Sequence, residues 1–368
     1  MAKYLKTEQG YIDASIFAPA PFKPKGKSYL TFSSPKNFTL KVDNKTKNWD
    51  GTLEYFDYDR TWTTWDGTTI LSAVADDGEY FLYLRGTENT FITRSGSSAK
   101  FVLTGSDISC IGNIENLLDY ASVESGEHPT MANYCYYYMF YDCTALTQAP
   151  VLPATTLSNS CYSNMFRGCT ALTQAPALPA TTLSNACYSS MFYGCTALTQ
   201  APALPATTLS SDCYSSMFDG CTALTQAPAL PATKLSKSCY SFMFRGCTSL
   251  KLSSAKTGEY TQAYRIPTTG TGTTAGGALT NMFAFTGGTF TGIPAINTTY
   301  YLSSNNMIVR DTEIATLNGY VGSMIDAAIG EYADTAEYII PSSTEGSTKK
   351  FKITVDDSGT LTATEITQ

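Results

Sequence analysis

Eleven cysteines and a single histidine frame the chemistry open to this chain of 368 residues. Ten of the cysteines fall in two rows: Cys135, Cys161, Cys187, Cys213 and Cys239, and, eight residues further on in each case, Cys143, Cys169, Cys195, Cys221 and Cys247. Thiols in such rows can pair as disulfides, hold a metal or serve as small buried hydrophobes. Disulfides require an oxidising compartment and paired geometry, and the total is odd. A metal site calls for CxxC spacing and histidines, whereas His128 stands alone. A reduced core fits both the rows and the burial preference of cysteine. With one His there is no triad-like constellation, and no Gly-rich phosphate loop follows a strand. Asp57, Asp59 and Asp66, the carboxylates on which a glycoside-hydrolysing pair would draw, lie in a turn-rich stretch and read as solvated. The sequence therefore assigns no catalytic residue, no metal and no cofactor.

What remains is binding chemistry. Tyr162, Tyr188 and Tyr214 each follow a cysteine of the first row, and Gln174, Gln200 and Gln226 each follow a Thr beyond the second. Rows of phenol and amide can stack on and hydrogen-bond to sugar rings. The competing reading puts Tyr over the core edge and Thr-Gln on a polar strand face. Variation between copies falls at Tyr141, Arg167, Tyr193, Asp219 and Arg245, which are expected to project to solvent and set partner choice. Trp-Asp-Gly-Thr occurs twice, from Trp49 and from Trp65. It reads either as a sugar platform or, more simply, as a turn with its indole in the core.

The elements that position these rows repeat every 26 residues between Cys135 and Leu250. Met139, Met165, Met191, Met217 and Met243, each followed by Phe, and Leu146, Leu172, Leu198, Leu224 and Leu250 form further ladders. A unit this short cannot bury its own apolar face, so copies must stack. One short strand per copy is expected at ALTQA, limited by the following Pro. Capping copies are expected around Cys110 and around Met282 and Phe283, with TGTGTTAGG as a flexible loop. Upstream, YLTF, NFTLKV, GTLEYF, YFLYL and AKFVL alternate apolar with polar residues between turn signals, which predicts a small β-sandwich. Downstream, Ile314, Leu317, Val321, Met324 and Ala328 make a short helical seam, and Phe351–Val355 with Thr360–Ile366 a hairpin. The predicted class is mainly β: an extended arm over 1–26, a sandwich-like module over 27–105, a solenoid over 106–294 and a helix with hairpin over 295–368.

The pattern MFxGCTxLTxAPxLP resembles the BspA-like leucine-rich repeats of bacterial surface proteins. The resemblance covers the middle third of the chain and implies a right-handed horseshoe. The ending KKFKITVDDSGTLTATEI looks like the termini of phage fibre and other virion surface proteins. A net charge of −7 with 15% charged and 43% hydrophobic residues argues against nucleic acid as partner. No apolar run is long enough for membrane insertion, and MAKYLKTEQGYIDASIF lacks the apolar stretch of a signal peptide. Together these features suggest a non-enzymatic protein of the virion surface, a fibre or a capsid or tail decoration of a phage of gut bacteria. It would attach to other virion proteins through the N-terminal arm, bind a host-surface glycan or protein through its repeats, and self-associate as a trimer through 311–368. A bacterial cell-surface adhesin is the alternative.

Overall fold

The computed structural model describes residues 22–26, 29–43, 48–93 and 99–309 in full, and the backbone of the strands Tyr4–Thr7, Gly10–Asp13, Tyr338–Pro341, Lys350–Val355 and Leu361–Ile366. The architecture is mainly β, with one helix among the described residues, Asn116–Glu124, and no sheet that closes into a barrel.

The alternating segments upstream form two antiparallel sheets. In the larger, Leu30–Ser34 pairs with Glu79–Thr87 and Ile108–Ile111, and Glu79–Thr87 continues to Thr52–Phe56 and Trp62–Thr64. In the smaller, Thr39–Val42 lies between Phe101–Thr104 and Leu71–Ser72. Leu30, Phe32, Leu40, Val42, Trp49, Trp65 and Phe101 are buried in one shared core. Phe22, within the segment expected as an arm, is also buried and packs on Phe56 and Tyr83 at 5.4 and 6.0 Å. Nearer the start, Tyr4–Thr7 pairs antiparallel with Gly10–Asp13.

The repeated segments are built mainly from tight turns, and their amides divide by parity. In the copy beginning at Cys187 the odd-numbered amides of 187, 189, 191, 193 and 195 donate three residues back, as Met191 N–H does to the Tyr188 carbonyl. The even-numbered amides of 186, 188, 190, 192 and 194 donate to carbonyls 25 residues ahead, in the next copy, as Phe192 N–H does to Met217. The copies beginning at Cys161 and Cys213 repeat both patterns. Every amide of the segment is thus satisfied, half locally and half across a junction. Ser160, Asn164, Ser190, Asp212 and Ser216 sit at the left-handed corners that this turn geometry requires, with φ between 54 and 57°. The strand expected at ALTQA forms in the first copy, Leu146–Gln148, while in the middle copies it is reduced to single bridges, Gln174 to Gln200 and Gln200 to Gln226. The proline two residues later has no N–H to extend them.

Aromatic rings lie face to face along the copies. Phe140, Phe166, Phe192, Phe218, Phe244 and Phe283 follow one another at 5.5–5.9 Å with interplanar angles of 3–6°, an offset stacking arrangement. All eleven cysteines are buried and free. Those of the second row are more than filler, because the thiols of Cys169, Cys195, Cys221 and Cys247 donate to carbonyls of Phe140, Phe166, Phe192 and Phe218 in the preceding copy at 3.0–3.1 Å. Burial pushes the Cys195 thiol up to about 12, so it stays protonated and keeps that donor.

Each end of the array meets other structure. Phe101 takes the place of a preceding copy: its N–H donates to Met139, and its carbonyl accepts from the Cys143 thiol at 3.2 Å. Leu146–Gln148 joins the larger sheet by pairing parallel to Ile108–Ile111. A single apolar core consequently runs from Leu30 to Leu302, across the expected boundary at 105. At the other end Tyr260–Arg265, Thr299–Ser303, Lys251–Ser253 and Gly287–Gly288 form a four-stranded sheet. The stretch expected as a flexible loop is tied down there, with Gly272 exchanging hydrogen bonds with the Asn297 side chain at 2.8 and 3.0 Å. The helical seam from Ile314 lies outside the described residues. The hairpin is formed by Lys350–Val355 with Leu361–Ile366, and a third strand, Tyr338–Pro341, which sequence patterning did not pick out, pairs with the first.

Candidate binding surface

The tyrosine row is not on the surface. Tyr162, Tyr188 and Tyr214 are 0, 1 and 1% exposed, and their rings stack at 5.9 and 5.8 Å. They cannot receive a sugar. In a segment made of turns, neighbouring residues do not alternate in and out as on a strand, so Cys161 and Tyr162 both face the core. The hydroxyls of Tyr162 and Tyr214 are buried without a hydrogen-bond partner, whereas that of Tyr136 donates to the Ile114 carbonyl at 3.1 Å. The area of each ring, worth roughly 1.5–3 kcal/mol on burial, offsets the cost of the unpaired oxygen.

The glutamine row lies nearer the surface. Gln174 is exposed and Gln200 and Gln226 are half-buried, in register through the parallel bridges. Beside them Thr199 and Thr225 hydroxyls donate to carbonyls of Thr173 and Thr199, one copy back. The row ends where Gln226–Pro228 pairs with Met307–Val309.

A second row, at the position after Met-Phe in each copy, carries charge and aromatic rings. Tyr141, Arg167 and Tyr193 are half-buried. The Arg167 guanidinium stands 4.1 Å from the Tyr193 ring centre and 5.8 Å from that of Tyr141, over which Lys100, from upstream of the copies, lies at 4.5 Å. Tyr137 and Tyr138 extend the aromatic surface, with rings 4.4 Å apart and Tyr138 4.9 Å from Tyr141. Asp219, expected to project to solvent, is instead 4% exposed. Arg245 of the next copy covers it with a 2.7 Å ion pair. Burial raises the Asp219 carboxyl, and Arg245 opposes that effect.

The remaining candidates are structural. Trp49 and Trp65 are buried with ring centres 5.5 Å apart, and the Trp65 indole N–H donates to the Thr69 carbonyl at 2.9 Å, so neither indole offers a sugar platform. The carboxylates of Asp50, Asp57 and Asp66 accept from Thr90, from Thr61 and Thr63, and from Thr68, fastening their turns.

The lone histidine meets a buried acid that sequence reading did not single out. His128, 58% exposed at its side chain, lies 2.8 Å from Glu115, which is 1% exposed. Burial pushes the Glu115 carboxyl above its usual range, and the bond to His128 opposes this less strongly. Its second oxygen is enclosed without a partner. Below the ordinary carboxylate range both folded and unfolded chains carry the neutral acid, and stability is greatest there with respect to this group. As pH rises through the folded pKa the buried site must hold a charge and stability falls. Glu115→Gln is accordingly expected to match the parent near pH 4 and exceed it at pH 7, measured by urea denaturation at both pH values.

Among the described residues no group of three or more His, Cys, Asp or Glu is placed to hold a metal ion, and no helix is long and apolar enough to cross a membrane. No protein-family model matches the chain, and comparison with curated proteins and with solved structures finds no similar protein.

Proposed function

We propose that residues 106–294 form a solenoid of the leucine-rich-repeat kind, carried between a sandwich-like module and a C-terminal element, and that the protein is a non-enzymatic attachment protein of the virion surface. In this reading it is a fibre or a capsid or tail decoration of a phage of gut bacteria, held to other virion proteins by its N-terminal residues and assembled as a trimer through 311–368. The repeat surface then contacts a host glycan or protein. The observation that carries the reading is the in-register row of Gln174, Gln200 and Gln226. Near-identical copies direct cysteine, tyrosine, methionine and phenylalanine inward and present the same polar side chains outward at one-copy intervals. Such a row makes repeated weak contacts, and several arms on one particle raise avidity well above the affinity of one contact.

The test is the triple substitution of Gln174, Gln200 and Gln226 to Ala, which leaves the buried ladders untouched. The expected result is at least a tenfold loss of retention on host cells with unchanged circular dichroism. Equal retention of the folded variant and the parent would overturn the role given to this row.

A further inference from the structure

Arg167 differs from Arg245 of its row and from the neighbouring Lys100 in what faces it. Lys100 lies 3.7 Å from the Asp142 carboxylate and Arg245 2.7 Å from that of Asp219. Arg167, among the described residues, has no carboxylate within ion-pairing distance. Among the described residues its side chain makes one hydrogen bond, a long one from Nη1 to the Asn164 amide oxygen at 3.4 Å. The guanidinium is held instead by rings, with Tyr193 at 4.1 Å and Tyr141 at 5.8 Å. A guanidinium fixed by aromatic faces keeps its N–H fork for a planar, bidentate acceptor such as a carboxylate. Next to it, Tyr134, Tyr137, Tyr138 and Tyr141 form a chain of ring contacts at 4.4–5.7 Å. The first copy alone has this cluster; later copies carry Ser or Asn at most of these positions. Tyr134 is 40% exposed.

We propose that this surface binds a carboxylate-bearing oligosaccharide laid along the copies, with Arg167, held by Tyr141 and Tyr193, reading the carboxylate and Tyr134, Tyr137 and Tyr138 offering rings to the sugars. The step between copies favours a saccharide over an acidic peptide. The buried rings beneath set the step between copies at 5.5–5.9 Å, close to the length of one hexose unit, whereas an extended peptide advances only about 3.3 Å per residue. One sugar per copy would therefore stay in register with the row. Charge complementarity supplies the acidity: in a chain of net charge −7, a guanidinium that feels Asp219 only at longer range and has no carboxylate in contact leaves its fork to an anion. The inference rests on the proposed attachment role for its setting, but the site is defined by residues other than the glutamine row.

The experiment measures full-length protein binding to an immobilised set of oligouronates and sialylated oligosaccharides, each beside its methyl ester, with hexaglutamate as the peptide control. The ester preserves the sugar rings and removes the charge. The parent is expected to retain at least one acidic saccharide and to lose about 10- to 100-fold in affinity for its ester, the range of one charge-assisted hydrogen-bonded contact. Arg167→Gln is expected to lose a similar factor, and Arg167→Lys, which keeps the charge without the fork, an intermediate one. The Gln174, Gln200 and Gln226 triple variant is expected to keep the preference for acid over ester. Equal binding of acid and ester, no acidic saccharide bound, an unchanged Arg167→Gln, or hexaglutamate bound more tightly than any saccharide would overturn the proposal. Attachment to host cells without any acid preference defeats this site alone, while acid-selective binding without attachment to cells defeats the wider reading alone.

Discussion

Replacing Phe192 by Ala is expected to destabilise the middle of the array by about 3–5 kcal/mol, the usual range for removing a fully buried phenyl ring. Phe192 has 0% exposure and lies 5.8 Å from both Phe166 and Phe218 in near-parallel stacks, so the substitution leaves a cavity with two unstacked faces. Its backbone is bound on both sides as well: the N–H donates to Met217 and the carbonyl accepts from the Cys221 thiol at 3.0 Å. Those bonds survive in the variant, which confines the loss to the ring. In a structure whose units contact mainly their neighbours, damage of this size loosens the local copies first. Hydrogen exchange should therefore rise at the amides of 187–221 before it rises in the N-terminal sheets. A cost below about 1 kcal/mol, outside the range for such a cavity, would mean that the ring stack is not a principal source of stability.

Phe101→Ala is expected to cost a similar amount, about 3–5 kcal/mol, with a different signature. Phe101 touches Trp65 at 5.7 Å and Phe140 at 6.1 Å, and so joins the core of the sandwich to the first ring of the array. All three tryptophans, Trp49, Trp62 and Trp65, lie upstream of it. Tryptophan fluorescence consequently reports the N-terminal sheets, while circular dichroism reports the whole chain. In the parent the two should move together near the junction. In the variant the fluorescence midpoint should fall in denaturant while a later part of the dichroism signal remains. Coincident transitions shifted by the same amount would show that Phe101 stabilises without coupling the two regions.

The ladders of Cys, Met, Phe and Leu were legible because strict recurrence is visible in one sequence and each residue type favours burial. The second Trp-Asp-Gly-Thr turn was legible for a local reason, since the Asp66 carboxylate binds Thr68 within the turn, whereas Asp50 of the first reaches Thr90, a partner 40 residues away that the motif does not announce. Tyr162 and its equivalents were harder. Their direction depends on the parity of amide bonding between turns, a geometry that hydrophobic alternation does not encode. The burial of Asp219 depends on Arg245, which lies a copy away and differs from the residues at that position in neighbouring copies. Phe101 acts as a preceding ring without belonging to the repeat in sequence, so the expected boundary at 105 fell beside the residue that joins both regions. The pairing of His128 with Glu115 left no spacing signal either, because it is made across an irregular connection after the helix.

The one-way bonding of even-numbered amides has an evolutionary consequence. Each junction from the copy at Cys161 to the copy at Cys213 uses the same donors, the same acceptors and the same ring stack. Duplicating or removing one 26-residue block here changes the stack by a fixed increment and leaves every remaining junction as it was. Recombination between such similar stretches of gene can thus lengthen or shorten the molecule in whole steps. The reach of the protein, and the number of side chains it displays, become heritable quantities adjustable without redesigning any interior contact.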